Sequence, residues 1–403
     1  MKQVFRLTGL LFIVILFGAC ATNNKQDKQT NNIAKVIDRA EQQIGYQVKL
    51  IEESGKILNA RTIENGKVHY ISKQDWTSGF FPGTMFYMYD LTKDQKWLEV
   101  GVKYTEDLDT IKHLKWHHDV GFMINSSFGN ALRITQNEAY KDVMVEAAKS
   151  LATRFRPAAG VIQSWDEDRG WQGQRGWMCP VIIDNMMNLE LLFEATRISG
   201  DSTYHKIAVS HANKTMENHY RDDWSCYHVV DYDKEIGGVR SKQNAQGYAH
   251  ESAWARGQAW GIYGFTMAYR YTGDQKYLDM ADNIYNFIFS HKNLPEDLIP
   301  YWDFNAPNIP NEPRDASAAA VTASALYELV TYGKEEYKET ADKIVNSLSS
   351  DAYTAITGTN GNFLLMHSVG SIPHDNEIDV PLNYADYYFL EALTRKIDLE
   401  GTN

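Results

Sequence analysis

Apolar and polar positions along most of this chain follow helical rather than strand periodicity. Tyr277, Met280, Ala281, Ile284 and Phe287 fall at three- and four-residue spacing, the stripe of a half-buried helix. One pattern recurs five times: a polar turn, an aromatic, then Ala or Val at helical spacing. It reads Lys93-Asp94-Gln95-Lys96-Trp97, Asn137-Glu138-Ala139-Tyr140, Gly200-Asp201-Ser202-Thr203-Tyr204, Gly273-Asp274-Gln275-Lys276-Tyr277 and Gly333-Lys334-Glu335-Glu336-Tyr337. Each closes an apolar helix and opens an amphipathic one, with Asp or Glu expected in the first turn, where the helix dipole favours it. With Asn32 to Leu50 as the first member, six outer helices are predicted. Six richer segments, near 79–91, 122–136, 184–199, 254–272, 315–333 and 383–397, read as inner helices buried on most of their circumference.

Outer and inner helices alternating at a repeat of about 45 to 75 residues describe helical hairpins stacked side by side. The expected fold is all-α: an (α/α)6 barrel of six helical hairpins, with an open solenoid as the alternative. Long loops at 157–180, 219–250 and 291–314 are expected to carry function. No linker divides the chain, so 33–403 is expected to be one domain. Ahead of it, Lys2 and Arg6 precede the apolar run Leu7 to Phe17 and then Gly18-Ala19-Cys20. That run is too short for a spanning helix and has the order of a secretory signal, 1–19, with Cys20 as a lipidated first residue. The polar stretch 20–32 reads as a flexible tether. An exported protein, held to the membrane through this lipid alone, is the expectation, with a lean to the periplasmic face.

Composition narrows the function. The 403 residues carry a formal net charge of −12, which argues against a broad nucleic-acid surface. Aromatics make up 12% of the chain, which suits both a large core and a carbohydrate site. Cys179 and Cys226 have no metal-site spacing and read as buried free thiols. No HExxH, CxxC, phosphate-cradling Gly loop or Gly-x-Ser-x-Gly occurs, so zinc, nucleotide and serine-hydrolase chemistry have no support in the sequence. No metal or cofactor is expected.

The chemistry-bearing residues gather where inner helices start. Asp119, in Trp116-His117-His118-Asp119-Val120-Gly121-Phe122, precedes the second; Asp184, after Cys179-Pro180-Val181-Ile182-Ile183, opens the third. In a ring of hairpins successive inner helices begin at one rim, so the two carboxylates can face one cavity. Each alone is also a reasonable helix N-cap. Together, in an apolar site, their pKa values can be driven apart, one protonated and one ionised, the arrangement of a glycoside-bond enzyme. In the block Gln246 to Gly261, Trp254 and Trp260 bracket Arg256, which suggests an indole platform and a fork for an acidic sugar; pairing of Arg256 with Glu251 is the other reading. Trp76 is a further rim or core aromatic, and His228 carries no signal of its own.

These motifs resemble the unsaturated glucuronyl hydrolases of glycoside hydrolase family 88, most specifically in His118-Asp119-Val120-Gly121-Phe122 and in the Gln246 to Trp260 block. The resemblance runs from the Trp76 segment to Tyr384-Ala385-Asp386-Tyr387-Tyr388. It implies an (α/α)6 barrel and removal of the terminal C4=C5-unsaturated uronate that a polysaccharide lyase leaves behind, so the expected partners are unsaturated uronate-terminated oligosaccharides. By the same resemblance Asp184 is the general acid/base and Asp119 its carboxylate partner, while His228, Gln246, Trp254, Arg256 and Trp260 line the uronate subsite. Ser368 and Ser371 match two serines that contact the next sugar. Where some members favouring sulfated glycosaminoglycans carry a Lys, this chain has Pro373 followed by His374, which places a strong 6-sulfate preference in doubt. A related unsaturated rhamnogalacturonyl hydrolase and a non-catalytic glycan-binding lipoprotein remain alternatives. Linkage preference and oligomeric state are left open.

Overall fold

The computed structural model describes residues 33–401; the expected signal 1–19, Cys20 and the tether 20–32 lie outside the described residues. Six outer helices are found: α1 (33–53), α3 (Gln95–Asp107), α6 (Ala139–Ala152), α8 (Ser202–Asn218), α10 (Gln275–Ser290) and α12 (Tyr337–Leu348). They alternate with six inner rods. Four are α2 (Phe80–Thr92), α9 (Ala255–Thr272), α11 (Ala316–Val330) and α13 (Asn383–Gly401). The second is broken into α4 (Val120–Ile124), a π turn and α5 (Asn130–Thr135), and the third enters α7 (Leu189–Ser199) through a 3-10 turn, Ile183–Asn188. Every residue of α11 is buried, whereas α10 buries only Tyr277, Leu278, Met280, Ala281, Ile284 and Ile288. The last inner helix, α13, packs against both α11 and α2, so the hairpins close into a ring and the open solenoid is excluded.

The recurrent polar turn has a direct physical account. α2, α5, α7 and α9 each end on a left-handed residue, Lys93, Gln136, Gly200 and Gly273 respectively. In three of these turns the next residue, Asp94, Asp201 or Asp274, caps the outer helix by accepting from the backbone N–H two positions on. The acid was expected inside the first turn; it sits one position earlier because a carboxylate there satisfies an otherwise unpaired N–H directly.

The connections on the other side of the ring hold short strands that the helical pattern did not predict. β1 (Asn59–Glu64) pairs with β2 (Lys67–Ile71), and β3 (Phe155–Arg156) with β4 (Val161–Ile162). β5 (Pro180–Ile182), β6 (Val229–Tyr232) and β7 (Val239–Gln243) form a three-stranded antiparallel sheet; β8 (Ser368–Ser371) pairs with β9 (Asn376–Val380). Within the ring, Phe80, Phe122, Trp260, Tyr384, Tyr387 and Tyr388 contact one another in tilted and edge-to-face pairs. Farther along the same helices Glu391 accepts from Tyr87, Tyr263 and Ser324, tying α13 to α2, α9 and α11. A cavity of about 560 Å³ there is lined by charged groups including Glu190, Arg270, Glu391 and Arg395. Cys179 and Cys226 are buried and unpaired.

Candidate active site

A cavity of about 490 Å³ opens where the inner helices begin, a volume in the range of small-molecule sites. Asp119, Asp184, Trp76, Gln246, Arg256 and Ser371 all line it.

Asp119 occupies the cap position of α4 yet makes no capping bond. Its Oδ1 instead accepts from Asn188 Nδ2 at 3.2 Å, while Asn188 Oδ1 accepts from Phe122 N at 2.8 Å. One side chain of the 3-10 turn thus holds both the carboxylate and the helix behind it. The close approach needs Gly121, where a Cβ would lie 2.5 Å from Asn188 Cα. Asp119 Oδ2 lies 3.2 Å from His117 Nδ1 and 3.3 Å from His118 Nε2. His117 Nδ1 already accepts the Asp119 backbone N–H at 3.2 Å, and burial holds the ring neutral with a pKa of about 4. A bare ring nitrogen facing a carboxylate oxygen is satisfied when the carboxyl carries the proton. Burial pushes Asp119 well above the usual carboxylate range, and the Asp184 charge adds to the shift.

Asp184 sits in the 3-10 turn behind β5, 9% exposed. The sheet brings His228 to it: Ile182 of β5 pairs with Val229 of β6, and Ile183 N donates to His228 O at 3.0 Å. His228 Nδ1 accepts from both Ala245 N and Gln246 N at 3.2 Å, so in the neutral ring the proton is on Nε2. That N–H faces Asp184 Oδ2 at 3.5 Å, an oxygen with no closer hydrogen-bond partner among the described residues. The two aspartates are therefore in different settings: Asp119 Oδ2 faces the ring nitrogens of His117 and His118 while Asn188 donates to its Oδ1, and Asp184 Oδ2 faces the His228 N–H.

Arg256 is buried and pairs with Asp315 at 3.0 Å; Glu251, its partner in the alternative reading, meets Arg221 instead. Arg256 also donates to the carbonyls of Val369 and Gly370, fixing β8 to α9; these bonds use three of its five donors, and its side chain lines the cavity. The expected indole platform is not formed. Trp254 is buried against His228 and Arg256, and Trp260 lies in the aromatic layer against Phe122 and Tyr388. Neither lines the cavity, nor does buried Ser368. Ser371 Oγ is 2.7 Å from His374 Nδ1.

Other lining residues were given no site role by the sequence reading: Arg61, His117, Trp165, Trp171, His374 and Glu377. Arg61 is held by Glu377 and Asp75. Trp165, Trp171 and Trp177 pack together, and Trp171 lies 4.6 Å from His374. The close spacing of these three indoles in a long loop was the one available signal.

Residues 54–392 match the sequence model of Glycosyl Hydrolase Family 88. The chain is 44% identical to an unsaturated glucuronyl hydrolase of Formosa agariphila over 99% of each chain. It is 33% identical to an unsaturated chondroitin disaccharide hydrolase of Streptococcus agalactiae over 80% of this chain and 81% of that one. Among solved structures, an unsaturated glucuronyl hydrolase specific for heparin superposes with a TM-score of 0.87 at 43% identity, covering 92% of this chain and 98% of the other.

Proposed function

This chain belongs to glycoside hydrolase family 88, and from that premise we propose that it removes the terminal 4,5-unsaturated uronate from lyase-generated, glycosaminoglycan-type oligosaccharides. The observation that carries the reading is the pair Asp119 and Asp184, facing one pocket in unlike surroundings beside the Arg256 cation.

Asp184, protonated, delivers its proton to C4 of the vinyl ether, and the cation developing at C5 is stabilised by the ring oxygen. Water adds at C5 and returns a proton to Asp184, so one carboxyl serves as acid and then as base. The resulting hemiketal opens and releases the remaining saccharide. The proton is available because two carboxylates facing one pocket favour sharing one. Asp119, pushed up by burial and set against His117 Nδ1, is one holder of that proton. The His228 Nε2–H then steadies the Asp184 carboxylate once it has given the proton up.

The test follows the ultraviolet absorbance of the C4=C5 bond in unsaturated chondroitin, hyaluronan, heparin and ulvan products. Decay is expected, and the ranking of rates names the preferred glycan. Asp184→Asn is expected to lower turnover about 10³-fold with binding retained; unchanged turnover would remove Asp184 from this role. For the leader we propose export and lipidation at Cys20, with residues 33–403 as a single catalytic domain on the periplasmic or outer-membrane face. Cys20→Ser should move the protein from the membrane to the soluble fraction.

A further inference from the structure

Among the described arginines, Arg175 alone has a side chain with neither an ion pair nor a hydrogen bond to the protein. Each of the others meets a carboxylate, carbonyl or amide. Arg175 is exposed, and its two contacts are ring faces: its guanidinium carbon lies 5.5 Å from the Trp171 centroid and 5.6 Å from that of Trp177. The acids of the same loop are engaged elsewhere, Asp166 with Arg154, Glu167 with Lys234 and Asp168 with Arg169. The loop's remaining charge is therefore one cation, held in place by indoles and free of a counter-ion.

Its position relates it to the pocket. Trp171 lines the cavity that holds Asp119 and Asp184 and packs against His374, another lining residue. His374 is pushed down by burial and, next, by the charge of Arg175, which places the guanidinium within electrostatic reach of the pocket wall. A guanidinium over an aromatic face keeps its N–H edges for an oxyanion and presents them as a fork.

We propose that Arg175 is an anion-binding residue at the pocket mouth, taking a sulfate ester on the sugar being released. This rests on the proposed function, which places the uronate inside, against Asp184 and Arg256. The adjoining hexosamine of a glycosaminoglycan disaccharide then lies toward the mouth, and sulfate is the anionic group it can carry.

The experiment measures binding in the Asp184→Asn background, so that turnover plays no part. Titration calorimetry compares disaccharides with and without a sulfate on the hexosamine, using Asp184→Asn alone and combined with Arg175→Met or Arg175→Lys. The ratio of sulfated to unsulfated affinity should fall about tenfold with Met, which keeps a covering stem over the indoles, and less with Lys, which keeps the charge without the fork. An unchanged ratio with Met would overturn the proposal. So would equal weakening of both ligands, which is the mark of a disturbed loop. Absorbance decay by the wild-type chain is read separately, and its absence would count against the proposed function and not against the ratio.

Discussion

Asp119 makes a prediction that separates its chemistry from its packing. Its pKa is raised in the fold, so the folded state holds the proton more tightly than the unfolded chain does. The contribution to stability is complete below the unfolded value near 4 and is lost as pH rises through the folded one. Asp119→Asn keeps the shape and discards the ionisation. It should melt about 2 °C higher than wild type at pH 7, the gap closing toward pH 4, while activity is lost; calorimetry at the two pH values reads the difference. Gly121→Ala should act oppositely, forcing apart the start of α4 and the turn of Asn188. A loss of about 2 kcal/mol in urea unfolding, with turnover reduced at least about tenfold, is expected. At this scale the sequence was legible where chemistry coincided with a helix start, as at Asp119 and Asp184. Trp171, His374 and Arg61 were not, because partners from distant loops bring them to the wall and no local period marks that meeting.

Three of the outer helices, α3, α8 and α10, owe their starts to the carboxylates at Asp94, Asp201 and Asp274, each accepting a backbone N–H. Replacing one with Ala should cost about 1 kcal/mol, and the three distant sites should add. Two buried histidines, His211 of α8 and His219 at the position that caps its C-terminus, fasten the helix to the strands. His211 Nδ1 accepts Ile162 N at 2.9 Å, and His219 Nε2 meets Val181 O at 3.1 Å. Burial depresses both to about 3. Stability from them is present above the unfolded value near 6.5 and falls as pH drops toward 3. His211→Gln should therefore flatten the slope of unfolding free energy between pH 6 and pH 4 by about 1.4 kcal/mol per pH unit, the worth of one proton. The helices were readable because a 3.6-residue stripe repeats for several turns. The short strands were not: β5 has three residues and is fixed by pairing with β6, not by its own pattern.

Ring closure depends on distant segments meeting, and Glu391 shows how. From α13 it accepts hydrogen bonds from residues of α2, α9 and α11, and it pairs with Arg395. Glu391→Leu strands those donors and should destabilise the fold by about 3 kcal/mol in urea titration. The surviving folded protein should keep its kcat/KM, since this cluster lies beyond the aromatic layer from the pocket. The count of hairpins was visible in the repeat and made the closed barrel the expectation, although the repeat alone also fitted an open stack, because a stack and a ring share the same local pattern.

The aromatic layer has one more implication. Among the described residues it blocks the barrel's axis, so the reaction chamber is a blind alley closed at its inner end. A polymer cannot thread through it, and only a chain tip can reach Asp184. Cleavage products must back out by the route the substrate took in. Such an enzyme cannot slide along its chain, and each catalytic cycle must end in complete release.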